Sequence, residues 1–136
     1  MKNIIILWPL MLLLMFFPAQ FCADTINNMK RNAFNNIVDN HIQIARSDGC
    51  FTAANTNAMS TELSTALYIN NGDISINVTT TPVYRTTSFD DRQTIKYSVF
   101  VPINKMIAMN KFLNISDANN TSNYGIIGES PSELLP

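Results

Sequence analysis

Residues 4–23, IIILWPLMLLLMFFPAQFCA, are twenty residues without one charged side chain, and they stand directly behind Lys2 and Asn3. A helix rises about 1.5 Å per residue, so such a run covers about 30 Å, the thickness of the hydrocarbon layer of a bilayer. If it stays attached, everything after it lies on one side of a membrane.

Its junction separates a cleaved signal from a retained anchor. Signal peptidase favours small residues at the last and third-last positions before the cut. A cut after Ala23 places Phe21 third from the end, and a cut after Ala19 places Phe17 there. Lipidation at Cys22 would want a small residue before it and meets Phe21. We read an uncleaved, single-pass anchor, with a cleaved signal as the alternative. Lys2 and the terminal amine on one side, against Asp24 with Lys30 and Arg31 on the other, favour a cytoplasmic N-terminus and an extracytoplasmic remainder.

What remains after the anchor is enough for one small domain with one core. Nine basic and ten acidic residues are spread along the chain, and the only basic pair, Lys30–Arg31, has no interleaved aromatic stripe, so nothing points to nucleic acid. The many asparagines read as codon bias before function. If one helix ran from Cys22 to Cys50, the thiols would be about 42 Å apart, far beyond disulfide reach. Cys22 then reads as a membrane-buried thiol and Cys50 as a small core residue.

Residues 24–46 carry helical periodicity. Ile26, Met29, Ala33, Ile37 and Ile44 fall on one line of the wheel, with Phe34, Val38, His41 and Ala45 on its shoulder, while Ile42 lies outside the arc. That line is the candidate interaction face, expected to pack on the chain's own head or on a neighbouring stalk. Asp48 and Gly49 are the stop signal. Pro9 and Pro18 are tolerable inside a lipid-embedded helix. A second helix is expected over 57–69. Beyond Gly72 the period changes to two: a strand over 74–78, a stronger one over 95–101 closed by Pro102, and an edge strand over 124–129. Residues 81–93, with the Asp90 to Arg92 cluster, read as a long hairpin connection, and 103–113 as a short helix or irregular apolar cover. The inward side of the sheet should include Ile74, Ile76, Val78, Ile95, Tyr97, Val99 and Val101. The fold class is therefore α+β: an anchor at 1–23, an amphipathic stalk at 24–48, and a head at 49–136 with a short helix and about three antiparallel strands.

This arrangement resembles a known family. The run LWPLMLLLMFFPAQF, with Pro9 inside it, then a helix ending in IQIARSDG with Ala45 and Arg46 before Gly49, then YSVFVPI and YGIIGESPSELLP, looks like the TadE-like pseudopilins of tight-adherence pilus systems. The resemblance implies a non-catalytic subunit of a bacterial cell-surface pilus or secretion apparatus, with membrane lipid and other pilin-like or assembly subunits as partners. One point departs from it. Pilin-like anchors carry a small residue at a prepilin-peptidase cut and a Glu shortly after, whereas here neither a Gly nor a carboxylate precedes Asp24. That puts filament entry in doubt more than membrane attachment.

No constellation in the sequence reads as catalytic. His41 is the only histidine and lies on the shoulder of an apolar face, which fits a packed imidazole better than a base or ligand. One His without CxxC or clustered carboxylates excludes the common zinc sites. A Cys50–His41 nucleophile pair would need a tertiary coincidence. There is no phosphate-binding Gly loop, GxSxG or dinucleotide fingerprint, so no enzyme, cofactor, metal or small-molecule substrate is expected. Asn77, Asn114, Asn119 and Asn120 begin N-x-[ST] sequons, which matter only in a eukaryotic host. Two function classes stay open: a membrane-anchored pilin-like subunit, and a small binding or adhesin domain secreted after cleavage.

Overall fold

The computed structural model describes residues 2–85 and 93–136, with side chains from Leu7 onward. The Asp90 to Arg92 cluster expected in a turn lies outside them. The chain is α+β, with a long N-terminal helix, a short second helix and a three-stranded antiparallel sheet.

Helix α1, Lys2–Asp48, runs without interruption through Pro9 and Pro18. From Leu7 on it is apolar and long enough to cross a membrane. It stops where the sequence says it should. Gly49 takes φ +73°, the left-handed conformation that terminates helices and that glycine adopts without steric cost. A Cβ there would come within 2.6 Å of the Leu134 side chain and 2.9 Å of the Val83 carbonyl, so the site also has no room for one.

Helix α2, Ala53–Leu67, begins four residues before the expected start. Thr52 is extended, and its side chain accepts a hydrogen bond from the Asn55 N–H at 3.1 Å, an N-cap that the apolar spacing alone does not reveal. Tyr68 closes the helix in the left-handed region, and a 3-10 turn at Asn71–Asp73 leads on to strand β1, Ser75–Val78.

Strand β2, Thr94–Asn104, is central, between β1 and β3, Thr121–Pro131. Ile76 pairs with Val99 and Val78 with Tyr97 across the antiparallel β1–β2 ladder. On the other flank Lys96 bonds Glu129 at 3.5 Å, while the Tyr97 and Phe100 rings occupy the space beside Gly128 and Gly125. Both outer strands thus run against β2. Pro102 does not close β2 as expected, because β1 ends with Ser75 opposite Phe100 and a residue beyond that pair has no strand to bond on that side.

The chain divides into two packing units, and the division does not fall at Asp48. One unit is Met1–Met29 with Ile103–Ser122, the other Lys30–Pro102 with Asn123–Pro136. The second holds a continuous apolar core: Phe34, Val38, Ile42 and Ala45 of α1, Phe51, then Met59, Leu63 and Leu67 of α2, and Ile95, Val99 and Val101 of β2. Each large side chain fully removed from water contributes about 1.5–3 kcal/mol. About the last four turns of α1 therefore belong to this core. Tyr124 joins β3 to α1: its ring meets Phe34 edge-on at 5.2 Å, lies under the Arg31 guanidinium at 5.3 Å, and its hydroxyl reaches Asn35 Oδ1 at 3.2 Å.

The C-terminal segment is stitched into the same unit. The Ser132 N–H donates to the Gln93 carbonyl and the Glu133 N–H to that of Arg46 at 2.9 Å, while the Arg85 N–H donates to that of Leu134 at 2.7 Å. The Ser132 hydroxyl bonds the Val83 carbonyl, and Glu133 pairs with the Arg46 guanidinium.

Candidate interaction surfaces

Helix α1 presents two apolar stripes, and the buried one is not the expected one. Phe34, Val38, His41 and Ala45 are buried, whereas the candidate interaction face leaves Ile26 54%, Met29 66% and Ile44 48% exposed. Ala33 and Ile37 are only partly covered, at the margin of the core. The core stripe lies one residue further along the chain, hence about 100° around the helix. Packing of the whole Ile26, Met29, Ala33, Ile37, Ile44 line on the chain's own head is therefore corrected. Ile42, placed outside the arc by the wheel, is core.

Gln20 and Asn27 stand fourteen and seven residues before Phe34 and so continue the stripe that Phe34 and His41 occupy. Within the first unit these polar side chains hold the segment that follows β2. The Gln20 amide donates to the Met106 carbonyl at 3.1 Å and accepts the Ala108 N–H at 2.9 Å. Asn27, buried, donates to the Lys105 carbonyl at 3.3 Å. Asn120 completes the segment from its far side: its side chain accepts the Ile107 N–H at 2.7 Å and donates to the Ile107 carbonyl at 3.0 Å, and its own carbonyl accepts the Lys105 N–H. That burial removes Asn120 from the candidate sequons.

Residues 105–116 form neither helix nor strand but a series of turns. The alternative of an irregular apolar cover is the one realised. Between this segment and α1 lies a groove of about 420 Å³ lined by Pro9, Leu12, Leu13, Phe16, Phe17, Met109, Phe112 and Leu113, without a polar side chain among them.

His41 lies between two partners. Nδ1 is 2.5 Å from Asn55 Oδ1, and the Asn55 amide nitrogen donates back to the His41 carbonyl at 3.0 Å. Since that orientation makes Asn55 Oδ1 an acceptor, Nδ1 carries the proton toward it. Nε2 faces Glu62 at 3.4 Å. Both ring nitrogens are thus committed to α2, and neither partner is Cys50. The pair ties α1 to α2 in a buried position beside the core, where each bond left open costs about 1–3 kcal/mol. Cys22 is exposed, Cys50 buried, and both are free thiols. Among the described residues no three His, Cys, Asp or Glu side chains gather to hold a metal.

Compared with family models, curated proteins and solved structures, the chain matches none of them. The functional reading rests on the surfaces themselves.

Proposed function

We propose that this protein is a membrane-anchored, non-catalytic interaction subunit of the pilin-like kind, held in a bacterial cytoplasmic membrane by the N-terminal part of α1 with its α+β body outside. The observation that carries this reading is that α1 is one helix from its charge-free run into a packed core while Ile26, Met29 and Ile44 stay exposed. Apolar side chains recurring at helical spacing on a solvent-facing side are what a neighbouring helix would cover. Retention of the N-terminal run is supported by Gln20 and Asn27, whose side chains satisfy backbone groups of 105–108. Cleavage after Ala23 would remove the first of them. The intact mass of the mature protein separates retention from the secreted alternative.

A deletion strain should lose surface pili or surface attachment, and the full chain should restore them. Met29→Asp with Ile44→Asp changes only exposed positions, so that variant should reach the membrane at normal level and fail to restore the phenotype. Cys50→Ala should restore it. Normal piliation and adhesion in the deletion strain, or full complementation by the double Asp variant, would overturn the proposal.

A further inference from the structure

We propose that the turn segment of residues 107–115 is itself immersed in lipid, reaching the middle of the hydrocarbon layer that the apolar run spans, with acyl chains filling the groove beside α1. The inference rests on the anchor reading above and adds a second membrane contact to it. Three observations carry it.

The first is position. The helix lining of the groove runs from Phe17 to Pro9, which stand roughly 9 Å and 21 Å along the helix from Ala23, so a segment lying against them is at hydrocarbon depth when the helix spans the bilayer. The second is composition. Met109, Phe112 and Leu113 are exposed, Phe112 by 64%, and they line one groove with the exposed Leu12, Leu13 and Phe17 and the half-buried Phe16. In water this would be a costly contiguous apolar patch.

The third is the backbone. Irregular chain survives in hydrocarbon only where its polar groups are satisfied by the protein. Here the Ile107 N–H donates to Asn120 Oδ1 and that of Ala108 to Gln20 Oε1. Those of Phe112 and Leu113 donate to the Met109 carbonyl, that of Asn114 to Lys111 and that of Ile115 to Asn110. The Asn110 amide donates to the Ile115 carbonyl at 3.0 Å and to Asp117 at 2.8 Å. Lys111, the one cation of the segment, is exposed and stands 4.0 Å from Asp117 Oδ2, so its ammonium has a carboxylate partner just past the segment's far end. A protein partner would cover the apolar residues equally well but would not account for a position level with the charge-free run, so lipid is the occupant.

Trp8 is the chain's only tryptophan, which makes depth measurable. The full chain with Trp8→Phe and Phe112→Trp is reconstituted into phosphatidylcholine vesicles, beside the parent chain, and quenched by lipids brominated on the acyl chains and by aqueous acrylamide. Trp at 112 should be quenched by the brominated chains to the same degree as Trp8 and be shielded from acrylamide. Quenching by acrylamide alone places the segment in water, and shielding from both quenchers places it under protein. Either result overturns the proposal while a lipid-quenched Trp8 leaves the anchor standing. If Trp8 too escapes the brominated lipid, anchor and segment fall together.

Discussion

At the scale of single residues, the two stripes of α1 make opposite demands. Phe34 is fully buried under Tyr124, whereas Ile44 keeps half its surface in solvent. Phe34→Ala should cost about 3–5 kcal/mol, and Ile44→Ser should stay within about 0.5 kcal/mol of the parent, as for a surface change that breaks no contact. Urea midpoints of the detergent-solubilised chain, at unchanged slope, measure both. Equal midpoints for the two variants would mean that the two stripes are buried alike. The sequence showed apolar residues on both stripes and could not rank them. Asn27 and His41 sit on the buried one, and polar residues there argue against a core until Lys105 and Asn55 are known to meet them. Ile26, Met29 and Ile44 gave the cleaner periodicity and the lesser burial.

At the scale of elements, alternation was a good guide and end-points were not. Ile95, Val99 and Val101 face the core as the period-two pattern requires, and the edge strand over 124–129 lies within β3. What lengthened β2 and β3 is their mutual pairing, which no local pattern encodes. Part of that pairing depends on two glycines. At Gly125 a Cβ would overlap the Phe100 ring, and at Gly128 it would stand 2.5 Å from the Tyr97 hydroxyl. Gly125→Ala should therefore destabilise the sheet by about 1–3 kcal/mol, as overpacking does. Adding Phe100→Ala should recover most of that loss, since Phe100 is itself partly exposed. A double-mutant cycle in urea gives the coupling directly, and additive losses would show that the ring is not what Gly125 makes room for.

At the scale of the whole molecule, the lasting revision concerns the tail. Residues 130–136, which carry no periodic pattern, satisfy carbonyls of Arg46, Val83 and Gln93 and bring Leu134 against Gly49. Truncation after Pro131 should lower the stability of the unit containing Lys30–Pro102 by about 1–3 kcal/mol, the cost of leaving such acceptors unpaired, and speed hydrogen exchange at the end of α1. Unchanged exchange there would remove the tail from the fold's foundations. Its place in the chain also sets a clock. Synthesis proceeds from the N-terminus at about 5–20 residues per second, so on the order of ten seconds separates the emergence of Ala23 from that of Leu134. Early in that interval the apolar run is already available to the insertion machinery, while Phe34, Val38 and Ala45 wait for β2 to cover them and Gly49 waits until the end for the Leu134 side chain. If α1 is the anchor proposed above, membrane insertion has first claim on it, and the body assembles on a helix whose fate in the bilayer is already decided.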